Sequence, residues 1–360
     1  MSNMGQPLNI AVIGAGYWGP NLARNLSASP LWNLVAICDL DTERATALSA
    51  KVGHPAVVPD VTELLEEHAL DAVAIATPAR THSAIAMAAL MAGKHVLVEK
   101  PLADRGTAGQ EMVDTAHDRG LVLMADHTYC YTPAVMKMRQ LIADGDLGEI
   151  LYIDSVRINL GLIQPDVDVF WDLAPHDLSI LDFILPEGLS PLTVTAQSAD
   201  PLGAGKACVG YLSLPLPGGG LAHIHVNWLS PTKIRRMVVG GSKRTLVWDD
   251  LNPQQRLSIY DRGVDLQAQE LTNEDSAHRR NASISYRLGD TWSPALDEFE
   301  PLGAMVKQFH SSISQGLASP TDGRAAMRVL SVLEATSRSL AKGGRRARVQ
   351  GEALRLEVAK

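Results

Sequence analysis

The sequence predicts an α/β fold, in which a doubly wound parallel sheet is followed by an α+β region with a large, mostly antiparallel open sheet. Apolar runs alternate with helix-like stretches from residue 8 to about residue 125. A G-x-G-x-x-G turn follows the first of these runs, and strand-like segments follow one another from residue 150 onward. At 360 residues the chain is also too long for one ordinary core, which favours two domains.

The apolar runs of the first region are continuous, as expected for strands that are buried on both faces of a parallel sheet. We predict strands at residues 9–13, 34–38, 71–76, 95–98 and 121–125. Helices are predicted between them at residues 17–29, 42–52, 61–68, 81–92 and 104–119. Gly53, Gly93 and Gly120 follow three of these helices, where a left-handed capping residue belongs. Repeated strand–helix–strand units of this kind indicate a doubly wound domain.

In the second region, strands are expected in succession. They are predicted at residues 150–158, 192–198, 207–216, 221–228, 233–240, 245–248 and 256–260. Polar and apolar residues alternate along 221–228, so one face of that strand is expected to be polar or to contact a partner. Helices are predicted at residues 133–143, 172–185, 302–315 and 323–340. Residues 262–300 show no clear pattern beyond a candidate strand at 281–287.

Composition excludes several classes of protein. The net charge of −8 argues against a general nucleic-acid binder, and the basic residues 345, 346 and 348 are interpreted as a helix end or tail. The sequence has no run of 18 apolar residues, so no membrane span is predicted. Residues 1–7 lack the features of a secretory signal. Cys38, Cys130 and Cys208 have no paired spacing, which suits a reducing cytoplasm and predicts neither disulfides nor a cysteine zinc site.

The turn after the first strand, Gly14-Ala15-Gly16-Tyr17-Trp18-Gly19, fits the dinucleotide-binding pattern. Its glycines allow a tight turn, close approach of a pyrophosphate and close packing of helix on strand. Asp39 directly follows the second strand and lies about 20 residues after Gly19. A carboxylate at this position accepts hydrogen bonds from the adenosine ribose. No arginine occupies the next three positions, so NAD is favoured over NADP. A G-x-x-x-x-G-K-[ST] phosphate loop is absent from the sequence.

Two further strand ends carry candidate residues. Thr77-Pro78 follows the strand predicted at 71–76, and Glu99-Lys100 follows the strand predicted at 95–98. Both ends are expected near the nicotinamide of a bound dinucleotide. Lys100 could stabilise the alkoxide that forms as a hydride leaves an alcohol, although a surface lysine in a loop is the simpler alternative. Pro101 stiffens this turn and is a candidate for a cis peptide bond.

Asp172 and His176 form the second candidate pair. We predict that Asp172 caps a helix with Pro175 in its first turn, which places His176 near a helix N-terminus that disfavours a charged imidazole. A neutral histidine aligned by a carboxylate is what proton removal from an alcohol requires. A simple helix cap and a structural histidine remain equally good interpretations of the two residues taken alone.

Other histidines carry weaker predictions. His127 lies just after the strand predicted at 121–125 and could contact substrate or cofactor. His223 and His225 alternate on one strand but lack a third ligand, so a polar sheet face is preferred to a metal site. No metal is therefore predicted, and the absence of a G-x-S-x-G motif gives serine chemistry little support.

Taken together, these motifs resemble the Gfo/Idh/MocA family of glucose–fructose oxidoreductases and inositol dehydrogenases. The resemblance covers nearly the whole chain and rests on residues 12–19, 37–39, 76–78 with His82, 94–101, and Trp171-Asp172 with His176. It implies a Rossmann domain at residues 1–126 and a substrate-binding and oligomerisation domain at 127–360. It also implies a homo-oligomer, a dimer or tetramer, that forms through the C-terminal sheet.

The resemblance assigns roles to individual residues. Lys100, Asp172 and His176 correspond to the family's catalytic set. The predicted NAD contacts are Gly14, Gly16, Tyr17, Trp18, Gly19, Asp39, Thr77, Pro78, His82, Glu99 and Lys100. The predicted substrate contacts are His127, Tyr129, Arg157, Asn159, Trp171, Asp172 and His176. Four of them could equally be packing or surface residues, namely Tyr129, Arg157, Asn159 and Trp171.

The expected reaction is hydride transfer between NAD and a secondary ring alcohol of a sugar, amino sugar or nucleotide sugar, with the C3 hydroxyl preferred. The chain also resembles a subgroup of amino-sugar 3-dehydrogenases and related sugar-modifying biosynthetic enzymes, on the sequences of residues 14–20, 126–129, 171–178 and 225–228. Asp126-His127 departs from the Asn-x-Arg type sequence of many relatives, which puts their substrate contacts in doubt. A keto-sugar reductase, a cyclitol dehydrogenase, an NAD-assisted glycosidase and a non-catalytic NAD sensor remain alternatives.

Overall fold

The computed structural model describes residues 7–67, 69–267 and 283–350. Within them it confirms the predicted fold class, because a six-stranded sheet is followed by a nine-stranded one. Two predicted element ends, His68 of the third helix and Asn281 of the candidate strand, lie outside the described residues. Residues 1–6, which lack the features of a secretory signal in sequence, also lie outside the described residues.

The first sheet is entirely parallel, with strand order β3-β2-β1-β4-β5-β6. Its strands are β1 Leu8–Ile13, β2 Trp32–Cys38, β3 Ala56–Val58, β4 Ala72–Ile75, β5 His95–Glu99 and β6 Leu123–Asp126. The sequence analysis gave no bounds for β3, because three residues are too few to show a pattern. Helices α1 Gly19–Ala28, α2 Thr42–Ser49, α3 Val61–Glu67, α4 Ala79–Met91 and α5 Gly106–Asp118 connect the strands.

The second sheet is mixed but largely antiparallel, with order β14-β13-β12-β11-β7-β10-β9-β8-β15 and one parallel pair, β7 with β10. Its strands are β7 Ile150–Leu160, β8 Thr193–Ala199, β9 Val209–Pro215, β10 Leu221–Asn227, β11 Leu229–Gly241, β12 Thr245–Asp249, β13 Leu257–Gln267, β14 Ser283–Trp292 and β15 Ala347–Arg348. Strand β15 contradicts the interpretation of the basic segment as a helix end or tail, since Ala347 pairs with Val194 at the sheet edge.

Four more helices complete the described fold: α6 Pro133–Ala143, α7 Val169–Ile184, α8 Pro301–Gln315 and α9 Gly323–Ala341. Helix α9 packs on α7 and β8 of the second region and also on α5 and β6 of the first. The Ala125 amide donates to the Thr321 carbonyl at 2.9 Å, just before α9. The C-terminal helices thus fasten the second sheet to the first.

Helix α7 begins three residues earlier than predicted, which corrects the role expected of Asp172. Asp168 is the N-cap, and its Oδ1 accepts hydrogen bonds from the amides of Phe170 and Trp171 at 2.9 and 3.0 Å. Pro175 therefore lies inside the helix rather than in its first turn. The prediction failed because both aspartates are good caps, and the one that precedes the apolar pair Val169-Phe170 allows that pair to be buried.

The two faces of β10 differ as the alternation predicted. Ala222, Ile224 and Val226 are fully buried beneath α7, whereas Leu221 is 52% exposed and His223 lies on its side of the sheet. Among the described residues, no helix is both long and apolar enough to cross a membrane.

Candidate active site

The predicted cofactor residues lie along the carboxyl edge of the parallel sheet. The sheet order changes direction between β1 and β4, and the loops after these strands open at that point. Open parallel sheets bind their ligands in the crevice at such a switch point. The glycine turn after β1, Asp39 after β2, Thr77 after β4 and Lys100 after β5 all lie along this edge.

The three glycines of the first turn have different structural demands. Gly14 has φ +102°, and a Cβ there would lie 2.7 Å from the carbonyl group of Ala76. A Cβ at Gly19 would lie 2.0 Å from the Gly14 carbonyl oxygen. A Cβ at Gly16 would meet nothing within 4 Å, so this position faces open space. Gly14 and Gly19 are needed to form the turn, and Gly16 leaves a cradle that fits a pyrophosphate.

Asp39 is held rigidly beside this turn. Its Oδ2 accepts the Ala15 amide at 2.6 Å and its Oδ1 accepts the Asp41 amide at 2.8 Å. Arg44, which the sequence analysis did not consider, donates Nη2 to the same Oδ1 at 2.8 Å. Burial alone would raise the pKa of Asp39, but these donated hydrogen bonds and the Arg44 charge hold the pKa below its ordinary value.

His82 braces two loops and is a correction to the predicted cofactor contacts. Its ring nitrogens lie 2.8 Å from the carbonyl oxygens of Pro101 and Thr77, and the residue is only 1% exposed. Because burial lowers the pKa of His82, the neutral ring donates one hydrogen bond to one of these carbonyl oxygens, and its other nitrogen is enclosed against the second carbonyl oxygen. Pro78 is the N-cap residue of α4, and the Lys100–Pro101 peptide bond is cis.

Lys100 and Asp172 form an ion pair across the two regions of the chain. The Lys100 ammonium donates to the Asp172 carbonyl oxygen at 2.8 Å and to the carboxylate Oδ1 at 3.2 Å. Asp172 Oδ2 accepts the indole N–H of Trp228 at 3.0 Å. The predicted alignment of His176 by Asp172 is therefore wrong in this structure, because the carboxylate is directed toward Lys100 and Trp228.

His176 stands one turn further along α7 and packs edge-on against Tyr129, with ring centroids 5.1 Å apart. Burial lowers the pKa of His176 well below its ordinary value, and the charges of Lys100 and Arg157 lower the pKa further. The imidazole is consequently neutral at physiological pH, as predicted. The cause differs from the prediction, because burial and neighbouring cations act here instead of a helix N-terminus.

Arg157, predicted as a substrate contact, is instead part of a buried ion pair. Its Nε and Nη2 donate to the two Asp177 oxygens at 2.8 and 3.1 Å, and Ser155 Oγ donates to Asp177 at 2.9 Å. The guanidinium carbon lies 4.4 Å from the centroid of the Tyr129 ring. Arg157 thus supports Tyr129, which in turn packs against His176.

A second polar cluster lies behind Lys100. Asp126 accepts the Trp18 indole N–H at 2.7 Å, as well as bonds from the amide and hydroxyl of Thr128. Burial raises the pKa of Glu99 well above its ordinary value, and the charge of Asp126, with which Glu99 shares a hydrogen bond, raises the pKa further. The Trp18 indole N–H is committed to this cluster, which leaves only its ring surface for a cofactor.

His127 is 2% exposed, and neither of its ring nitrogens has a hydrogen-bond partner among the described residues. Burial and the Lys100 charge lower the pKa of His127 to about 4. A buried polar ring without partners is costly unless something else binds it. His127 therefore has unused donor and acceptor capacity beside Lys100, as a ligand contact requires.

The remaining predicted residues have mixed placements. Tyr17 is 92% exposed at the glycine turn, and Asn159 is half-buried near the end of β7. The Trp171 indole N–H donates to Ser337 Oγ on α9 at 2.9 Å, so this side chain is held by packing. His225 stacks on Tyr211, with centroids 4.4 Å apart, on the outer face of the second sheet.

Sequence reasoning missed several residues that complete the site, namely Arg44, Asp126, Asp168, Trp228 and Arg235. Arg235 pairs in register with Arg157 on the neighbouring strand and also faces Tyr129, at 5.9 Å. Only Asp126 carried a signal, because it departs from the residue type expected there. Trp228 and Arg235 are distant in sequence from the groups they touch. Arg44 and Asp168 lie within five residues of theirs, but no motif marks those contacts.

The arrangement defines a class of protein. A glycine turn with an open cradle, a carboxylate beside that turn and a lysine beside a neutral histidine are the parts expected of a nicotinamide-dependent dehydrogenase. The open cradle at Gly16 and the carboxylate of Asp39 fit NAD.

Family models agree with this class. The model described as oxidoreductase family, NAD-binding Rossmann fold, matches residues 8–127, and the GFO/IDH/MocA C-terminal domain matches residues 135–247. The chain belongs to the GFO/IDH/MocA oxidoreductase family. It is an NAD-dependent dehydrogenase acting on CH–OH groups, which confirms the predicted family, enzyme class and cofactor.

Three relatives illustrate the range of the family. UDP-N-acetylglucosamine 3-dehydrogenase of Acidithiobacillus ferrooxidans is 32% identical over 71% of this chain and 78% of its own length. Its solved structure has a TM-score of 0.77 at 26% identity and covers 92% of this chain and 97% of that one. D-glucoside 3-dehydrogenase of Escherichia coli is 32% identical over 56% of this chain and 60% of its own length. Inositol 2-dehydrogenase 2 of Saccharopolyspora erythraea is 30% identical over 56% and 59%.

Proposed function

We propose that the protein oxidises the C3 hydroxyl of a nucleotide-linked N-acetylated amino sugar to the ketone, with NAD as the hydride acceptor. The observation that carries this proposal is the partly buried group formed by Lys100, Asp172 and His176, at the carboxyl edge of the parallel sheet. The C3 position and the sugar class are supported by the likeness to UDP-N-acetylglucosamine 3-dehydrogenase and D-glucoside 3-dehydrogenase. The reaction is of the sugar-modifying biosynthetic kind.

Lys100 binds and polarises the reacting oxygen. Its ammonium is fixed by the two Asp172 oxygens at 2.8 and 3.2 Å and has a third N–H that can donate to the substrate hydroxyl. As the carbon–hydrogen bond breaks, negative charge develops on this oxygen, and a fixed ammonium in a partly buried site stabilises it. Asp172 is the group that holds Lys100 in place.

His176 takes the hydroxyl proton. Its imidazole is neutral because burial and the surrounding cations disfavour imidazolium, so a ring nitrogen is free to accept. Bound NAD supplies the acceptor for the hydride at nicotinamide C4. The alcohol thus loses a proton to His176 and a hydride to the cofactor, and the products are a ketone, NADH and a protonated histidine. His127, with both ring nitrogens available, is placed to bind a neighbouring hydroxyl.

The substrate proposal is tested by incubating the purified protein with NAD and a panel of UDP-N-acetylglucosamine, UDP-glucose, free N-acetylglucosamine, methyl glucoside and myo-inositol. NADH formation fastest with UDP-N-acetylglucosamine, and a 3-keto product, is expected. A preference for myo-inositol or the simple glucoside would overturn the substrate class while leaving the dehydrogenase intact. Release of free sugar without net NADH would instead identify a glycosidase.

The division of labour along the chain is also a proposal. We assign NAD binding to residues 1–126 and substrate binding and assembly to residues 127–360. The outer face of the second sheet supports assembly into a homo-oligomer, since Tyr152, Tyr211 and Leu221 are 41%, 43% and 52% exposed there. Light scattering should report a dimer or tetramer, and replacing Leu221 by Asp should shift it toward the monomer. Buried free cysteines at positions 38, 130 and 208 suit a cytoplasmic protein.

A further inference from the structure

Arg235 lies on the inner face of the second sheet, beside the candidate active site. On β11 it is directly opposite Arg157 of β7, whose side chain bonds to α7, so both arginines lie on the face that packs on that helix. The Arg235 guanidinium carbon lies 5.9 Å from the centroid of the Tyr129 ring, and that ring packs against His176. The side chain of Arg235 is 31% exposed and that of Arg157 only 3%, so a ligand can reach Arg235.

The two arginines differ in how their charges are neutralised. Like charges directly opposite each other on neighbouring strands destabilise a sheet unless each has a counter-charge. Asp177 neutralises Arg157 through two hydrogen bonds of 2.8 and 3.1 Å. Within the described part of the chain, the side chain of Arg235 makes a single hydrogen bond, 3.5 Å long, from Nη1 to Asp250 Oδ2. Because a guanidinium has five N–H groups, most of the donors of Arg235 are left for a ligand.

The charge of Arg235 extends to the reacting centre. Burial lowers the pKa of His176 most strongly, and the charge of Arg235 is among those that lower the pKa further. A cation this close to the site favours an anionic group on the same sugar that carries the reacting alcohol. In a nucleotide sugar this group is the diphosphate at C1, which a single ring carbon separates from C3. The planar, permanently charged guanidinium matches phosphate oxygens better than any other side chain.

We infer that Arg235 binds the diphosphate of the substrate and thereby selects nucleotide-linked sugars over uncharged ones. The inference rests on the proposed function, because it names the residue that recognises the charged part of that substrate. Arg235 takes no part in the hydride or proton transfer. Its loss should therefore weaken the binding of a nucleotide sugar and leave the chemical step unchanged.

Titration calorimetry with UDP tests this assignment on protein saturated with NAD+, so that UDP does not enter the adenosine site. Arg235→Met removes the guanidinium and keeps an aliphatic side chain against Tyr129. It should bind UDP at least about tenfold more weakly, as expected for the loss of a charge-assisted hydrogen bond to phosphate. Arg236→Met is the matched control, because Arg236 is the next residue of β11, is exposed and points to the opposite face. It loses the same charge and should bind UDP within about threefold of wild type.

Initial rates separate recognition of the charge from simple packing. In Arg235→Met the KM for UDP-N-acetylglucosamine should rise at least about tenfold, while kcat changes less than about threefold. The KM for methyl glucoside, which has no charge, should stay within about threefold of wild type. NAD+ binding and thermal unfolding of each variant establish that the protein is folded.

The inference is overturned by an absence of UDP binding to the wild-type protein, or by a UDP affinity that Arg235→Met leaves within about threefold of wild type or that Arg236→Met lowers equally. An equal rise in KM for methyl glucoside and UDP-N-acetylglucosamine would make Arg235 a packing residue and also overturn it. Oxidation of UDP-N-acetylglucosamine with an unchanged KM in Arg235→Met would overturn the inference and leave the proposed function intact. UDP binding that depends on Arg235, in a protein that does not oxidise UDP-N-acetylglucosamine, would support the inference and overturn only the proposed sugar.

Discussion

The buried ion pair between Arg157 and Asp177 gives the clearest test of how the site is supported. Their side chains are 3% and 2% exposed, and two hydrogen bonds of 2.8 and 3.1 Å join them. In Asp177→Asn the guanidinium stays buried beside Tyr129 without its counter-charge. Breaking such a pair costs about 3–5 kcal/mol of unfolding free energy, or roughly 6–20 °C in Tm at about 2–4 °C per kcal/mol.

Thermal and denaturant unfolding measure this loss, and a surface pair provides the matched control. Arg244 and Asp146 are 33% and 40% exposed at 3.1 Å, so Asp146→Asn should cost less than about 1 kcal/mol. The double variant Arg157→Met/Asp177→Leu leaves neither charge of the pair and should lose much less than the sum of Arg157→Met and Asp177→Leu measured singly. A loss below about 1 kcal/mol in Asp177→Asn, or strict additivity in the double variant, would refute the assignment of a dry ion pair beneath Tyr129.

Three further outcomes are expected. His127→Asn should flatten the pH dependence of stability. The pKa of His127 near 4 in the folded state lies below the ordinary 6.5, so this residue should account for about 2 kcal/mol of the unfolding free energy that wild type loses between pH 7 and pH 5. The variant should lose about that much less over the same range, and an equal loss in the two proteins would contradict the assignment. Gly16→Ala should change the unfolding free energy by less than about 1 kcal/mol but lower the NAD affinity at least about tenfold. Gly19→Ala should lower the unfolding free energy by about 1–3 kcal/mol, because its Cβ would clash with the Gly14 carbonyl oxygen. Equal effects of the two variants on the unfolding free energy would show that the cradle is misplaced. Lys100→Met should keep NAD binding in calorimetry while turnover falls about 10²–10⁴-fold; parallel loss of both would make Lys100 a cofactor ligand only.

The parallel sheet was predictable because its signals are local. Continuous apolar runs, glycine after helices and the G-x-G-x-x-G turn each lie within a few residues of the structure they specify. Strand β3 was not predicted because three residues are too few to show a pattern. The predicted start of α7 was three residues too late because Asp168 and Asp172 are equally good N-caps when each is considered alone.

The partners of the site residues were not predictable in the same way. Lys100 and Asp172 were predicted as catalytic residues, and the structure joins them, but the Asp172 carboxylate binds Lys100 and Trp228 instead of His176. Trp228 is 56 residues away in sequence from Asp172, and such pairings depend on how the second sheet packs on α7. Arg157 has the same origin, since its partner Asp177 lies across the space between a strand and a helix.

The most direct test of the account follows the hydrogen atom at C3. UDP-N-acetylglucosamine deuterated at C3 is incubated with the protein and NAD, and the reduced cofactor is analysed by mass spectrometry. Deuterium at nicotinamide C4 together with a 3-keto sugar is the predicted result, and His176→Ala should abolish both while still binding NAD. Unlabelled NADH from this substrate, or no turnover of any sugar in the panel by a protein that binds NAD, would contradict the account.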